Sequence, residues 1–160
     1  MKMCIDEDAM TIYLTRIYLK DEWDLELESY FKKLFLKFKN NYDIDVSGYY
    51  IIDVYQNKNY GYIIKIIKEH FEYLDYLDNE IDMKVKVHSE VPILYEFKDI
   101  DLKIFKQELD YYVFKKRVYG KPKKTLTSFQ LSKILEMCEG VFYDEDNIIE
   151  TYGKKIKGVD

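Results

Sequence analysis

The chain has 160 residues, and 25 Lys and Arg against 30 Asp and Glu give it a formal net charge of −5. That length fits one domain, and 48% hydrophobic with 34% charged residues is too apolar for disorder and rich enough to bury a sizeable core. There is no run of about 18 apolar residues to span a membrane, no coiled-coil heptad and no collagen period.

Residues 1–10 read as a flexible polar leader, with one domain expected over 11–160. Thr11 to Leu19 is β-branched and aromatic, with Ile12, Leu14 and Ile17 apolar, and reads as a first strand. Trp23, Leu27, Tyr30, Phe31, Leu34, Phe35 and Phe38 recur at helical spacing along one broad face. Asp21 suits the first turn of that helix, Lys37 and Lys39 suit its last, and it should end near Asn40–Asn41.

Two β-rich runs follow, Gly48 to Tyr55 and Tyr60 to Ile67, separated by the turn residues Gln56-Asn57-Lys58-Asn59. Their largely apolar character calls for cover on both faces, by the chain itself or by a second copy in a dimer sheet. His70 to Asn79 is an acidic, aromatic connection. Ile81–His88 and Ile93–Phe97 read as strands, Asp99–Leu109 as a short helix, and Tyr111–Tyr119 as one further strand ending in a basic loop, 120–124. A helix start is marked by Thr127 and Gln130, which fit a capping box, with Leu126 and Leu131 as the hydrophobic staple. Leu131, Ile134, Leu135 and Cys138 form its stripe, and Gly140 is the expected stop. Residues 141–157 should add a strand or a short helix. The order predicts an α+β fold, a single compact domain with a largely antiparallel sheet and two or three helices.

Aromatic residues are abundant, with 17 Tyr and 9 Phe. Lys, Ile, Tyr, Phe and Asn all have AT-rich codons, so an AT-rich bacterial genome accounts for much of this excess. Cys4 and Cys138 stand far apart and form neither a disulfide framework nor a zinc spacing. The N-terminus lacks the apolar core of a secretory signal, so the cytoplasm is the expected compartment.

Three constellations bear on chemistry. Asp43-x-Asp45-x-Ser47-Gly48 matches the first half of a calcium loop. The twelfth position, where a bidentate Glu is needed, is Val54, so a helix-to-strand turn is the stronger reading. Lys115, Lys116, Arg117, Lys121, Lys123 and Lys124, with Tyr119 among them, offer cations and a ring of the kind a single-stranded nucleic acid uses. The acidic chain opposes long-range attraction of a polyanion. Glu69, Glu72, Asp75 and Asp78, interleaved with Tyr73 and Tyr76, offer steering charges and ring anchors for another protein.

His70 and His88 lie in no metal-binding or nucleophile spacing, and no phosphate loop, dinucleotide fingerprint or nucleophile elbow occurs. No cofactor is expected. The leading expectation is therefore a small protein–protein interaction module, a regulator, adaptor or immunity-like inhibitor, working through residues 69–78 without catalysis. Nucleic-acid binding through 111–124 is the first alternative, and a small carboxylate-based enzyme, with or without a metal, is the second.

Overall fold

The computed structural model describes residues 2–6, 8–17, 27–43, 45–70, 80–144 and 146–157. Among them are three helices and ten strands in two five-stranded, mostly antiparallel sheets, an α+β architecture as expected. The chain divides into two compact units, one of residues 1–14, 18–54 and 63–88, the other of 15–17, 55–62 and 89–160.

The first unit is built on a sheet of order β1-β2-β4-β3-β5. Its strands are β1 (Lys2–Asp6), β2 (Ala9–Thr15), β3 (Gly48–Asn57), β4 (Gly61–Glu69) and β5 (Ile81–His88). β1 and β2 form an antiparallel hairpin with Met3 opposite Ile12 and Ile5 opposite Met10. Residues 2–6 are thus a strand and not a polar leader. Met3 and Ile5 fall on one face of β1 and Lys2, Cys4 and Asp6 on the other, the period-2 alternation of a strand.

β3 and β4 are the expected hairpin. β5 runs alongside β3 in the same direction, because the Gly48 N–H donates to the Glu80 carbonyl while His88 meets Asp53 further along. Helix α1 (Leu27–Tyr42) packs its buried Phe31 and Phe35 on this sheet, Phe35 stacking on Tyr50 at 4.6 Å between ring centroids. Trp23 and Asp21, expected in its first turns, lie outside the described residues. In β3, Tyr50, Ile52 and Val54 are buried while Tyr49, Ile51 and Asp53 between them are only half so, which is one face turned to a core.

The second unit carries a sheet of order β10-β7-β8-β6-β9. Its strands are β6 (Ile93–Phe97), β7 (Leu109–Phe114), β8 (Arg117–Pro122), β9 (Gly140–Tyr143) and the short β10 (Lys154–Lys155). The single strand expected over 111–119 is instead a tight hairpin. It turns at Lys115 and Lys116, both at positive φ (46° and 65°), so the basic loop is largely strand. A two-residue turn of this hand usually advertises itself with Asn-Gly. Here two lysines adopt it, held by the pairing on either side. The helix expected at 99–109 is a series of turns that buries Phe105.

Helix α2 (Ser128–Met137) begins with the expected capping box, Thr127 accepting from the Gln130 N–H while the Gln130 side chain accepts from the Thr127 N–H. It ends at Cys138 in extended backbone, and Gly140 opens β9 instead of closing the helix. α2 packs on β6 through Leu131 and Ile134. Gly120 of β8 lies in the sheet at a point with no room for a side chain. A Cβ there would stand 2.8 Å from Leu109 Cδ1 and 3.0 Å from Phe97 Cε2.

The short helix α3 (Ile148–Tyr152) sets Ile149 into a cluster with Leu94, Tyr112 and Tyr119. Its first turn is held by Asp144, whose two carboxylate oxygens accept from the N–H groups of Ile148 (2.7 Å) and Ile149 (3.0 Å).

Candidate functional site

The first unit carries an open apolar groove of about 400 Å³ between the C-terminal half of α1 and the β1–β2 hairpin. Met3, Ile5 and Met10 line it from the hairpin, Phe38 and Tyr42 from the helix, and Ile66 from β4. Local structure explains the grouping. Met3 and Ile5 share a face with their cross-strand partners Ile12 and Met10. Phe35, Phe38 and Tyr42 stand three and four residues apart and so share one helix face. Burial stops partway along: Phe35 is buried, whereas Tyr42 is 68% exposed and Ile5 is 73% exposed. Leaving such side chains in water forgoes roughly 1.5–3 kcal/mol each.

Charges collect on the rim. Among the described residues, Asp6, Asp8 and Asp45 line the groove together with a single cation, Lys68. Asp45 is held below the usual carboxylate range, first by hydrogen bonds from the Ser47 N–H (2.9 Å) and hydroxyl (2.7 Å), and to a smaller degree by Lys68 and Lys39. Asp8 meets His70 Nε2 at 2.7 Å.

These contacts also decide the reading of the calcium-like motif. Asp43 takes a left-handed conformation (φ 52°) at the end of α1, and Asp45 caps its own turn through Ser47. Gly48, at φ +129°, begins β3 where a Cβ would meet Lys68 Cε at 2.9 Å. This is a helix-to-strand turn in which each residue type is used for local geometry.

Of the expected docking residues, Glu69 ends β4 and is half-buried. Glu72, Tyr73, Asp75, Tyr76 and Asp78 lie outside the described residues. The groove was missed in the sequence because half of it belongs to residues assigned to a leader. The signal that could have found it is the alternation Met3, Ile5 and Met10, Ile12.

The basic cluster sits in the second unit, along the β7–β8 hairpin, and the fold separates its members. Arg117 is hydrogen-bonded to Glu96, which raises its pKa, and Lys121 meets Glu150 at 2.6 Å. The Lys123 ammonium donates to the Lys106 carbonyl. Tyr119 is only 7% exposed and packs edge-on against Phe142, so its ring is turned into the cluster under α3. Lys115 lies over the Phe114 ring at 5.2 Å, and Lys116 shares the turn with it. Lys124 follows the end of β8 and is exposed.

A second pocket, of about 500 Å³, opens beside α3 and is lined by Phe114, Lys115, Phe142, Asp146 and Ile148. His88 pairs with Asp53 at 2.8 Å across β5 and β3. Among the described residues, no three His, Cys, Asp or Glu side chains gather in a metal-binding arrangement, and no helix is long and apolar enough to cross a membrane. Comparison with protein-family models, curated proteins and solved structures finds no match to this chain.

Proposed function

We propose that this protein is an interaction module that works by binding another protein, and that the partner docks in the groove between α1 and the β1–β2 hairpin. The observation that carries this reading is the groove itself. It is an apolar concavity walled by a helix and a strand, with a large ring and a branched aliphatic left in water at its mouth. Contiguous exposed apolar surface with a polar rim is the usual mark of a binding site.

Three carboxylates against one ammonium on the rim favour a partner segment whose apolar side chains are flanked by Lys or Arg. Glu69, the first residue of the acidic stretch, directly follows Lys68 of the groove in the chain. Tyr42, exposed, and Phe38, half-buried, supply contact area at low entropic cost, as interface anchors do.

The test is a comparative capture. Wild-type protein and a Phe38→Ser/Tyr42→Ser variant, each carrying a C-terminal tag and shown to be folded by circular dichroism, are exposed to the same nuclease-treated host lysate. A protein retained stoichiometrically by the wild type and lost from the variant supports the groove. Identical captures by the two proteins, or none by either, refute it.

A further inference from the structure

The groove is bounded by a strand edge with properties of its own. β1 is the last strand of its sheet, and among the described residues it pairs with β2 alone. All five of its residues are exposed. Asp6 stands opposite Ala9 beside the turn. In a hairpin of this length the pair flanking the turn exchanges hydrogen bonds, and the pairs then alternate. Cys4 and Lys2 therefore direct their backbone groups to β2, while the N–H and C=O of Met3 and Ile5 point outward from the sheet. Such an edge is a template for another strand.

The sequence of this edge, Lys2-Met3-Cys4-Ile5-Asp6, is complementary to itself when reversed. We propose that two copies of this chain pair antiparallel through β1, centred on Cys4, and join their sheets into one. In that register Met3 stands opposite Ile5 of the second copy, and these are the residues whose backbone groups face outward, so each pair exchanges two hydrogen bonds. Lys2 comes opposite Asp6 of the second copy at both ends, and opposite charges directly across a strand pair attract.

The two-fold axis runs perpendicular to the sheet, so the face carrying Met3 and Ile5 is the same in both copies. Ile5, 73% exposed in one chain, then packs against Met3 of the other. A β1 pair shifted by two residues would lose both Lys2–Asp6 matches and set Cys4 opposite Lys2 or Asp6, so the charge pattern selects the register. An acidic-rimmed groove in each copy remains bounded by its own α1. The pairing goes beyond the docking reading above: it uses the backbone edge of β1 and covers the groove-lining Ile5 from the second copy, while Phe38 and Tyr42 belong to the helix.

The pairing is tested on the full chain with any tag placed at the C-terminus. Sedimentation at rising protein concentration should show a species of twice the 19.5 kDa chain mass. Lys2→Glu, which sets like charges across the pair at both ends, should weaken association by roughly ten-fold, and Lys2→Glu/Asp6→Lys should restore it.

A second readout uses Cys4. Centred pairing makes it a non-hydrogen-bonded pair with Cα atoms about 4.5 Å apart, inside the span a disulfide bridges. In a Cys138→Ser background, diamide should join the two Cys4 thiols in one disulfide, taking up the two electrons and two protons they release. A covalent dimer on a non-reducing gel that is lost in Lys2→Glu and regained in the double variant supports the register. A monomer at every concentration overturns the proposal. So does association that is unmoved by Lys2→Glu and gives no Cys4 cross-link. Loss of partner capture in Phe38→Ser/Tyr42→Ser with the dimer intact would separate the two sites.

Discussion

Replacing Asp144 by Ala removes the acceptor for two backbone N–H groups at once, those of Ile148 and Ile149 at 2.7 and 3.0 Å. Both bonds are charge-assisted, and such bonds contribute about 1.5–3 kcal/mol each. The two losses are unequal. Ile148 is 41% exposed, so water can take over its N–H. Ile149 is 4% exposed among Leu94, Tyr112 and Tyr119, and its N–H would be left buried without a partner. Counting the second loss in full and the first as an ordinary helix cap of about 1 kcal/mol gives a destabilisation of about 2.5–4 kcal/mol.

For a chain of this size that lowers Tm by roughly 5–16 °C. Asp144→Asn keeps one oxygen acceptor and should cost about half as much. Urea unfolding followed by circular dichroism and by tyrosine fluorescence measures the global term. Amide exchange at Ile149 reports whether α3 opens on its own. If Asp144→Ala stays within about 0.5 kcal/mol of the wild type and Ile149 keeps its protection, the capping argument is wrong.

Alkaline stability should fall through tyrosine ionisation. Burial, reinforced by the charge of Asp45, pushes the Tyr50 hydroxyl up to about 12, and burial likewise pushes Tyr111 up to about 12. Both folded-state values lie above the unfolded value of about 10. The contribution is therefore whole below pH about 10 and disappears as pH rises through about 12, because only the unfolded chain releases these protons early. Urea midpoints across that window should drop less steeply in Tyr50→Phe than in the wild type, and equal slopes would contradict the assignment. Gly48→Ala should destabilise by about 1–3 kcal/mol, since φ +129° is costly for any residue with a Cβ. It should also displace Lys68, whose Cε would stand 2.9 Å from the new carbon, a change visible in the chemical shifts of the groove residues.

Local patterns determined much of this protein. The α1 stripe through Phe31, Phe35 and Phe38, the β3–β4 hairpin, the strands at 81–88 and 93–97 and the capping box at Thr127 are all set by residues within about a dozen positions of one another. Their periodicity and caps survive whatever packs on them, so they and the α+β class are legible in the chain itself. Other features were decided by strand pairing and not by the residue types of the segment itself. Lys115 and Lys116 turn the β7–β8 hairpin with no turn residue because the strands on either side pair from Leu109 to Pro122. Residues 2–6 form a strand because β2, one tight turn away, offers its edge, a gain that a short stretch with two apolar residues does not advertise.

The same division runs through the candidate sites. The acidic and basic clusters were visible as composition, because charge can be counted along a chain. Whether a charge is available depends on what folds beside it: Glu96 engages Arg117, Glu150 engages Lys121, and Tyr119 turns inward to Phe142. The groove needed the tertiary structure outright. It exists only where the end of one amphipathic helix passes an edge hairpin some thirty residues earlier in the chain, and leaves apolar side chains from both without enough neighbours to bury them.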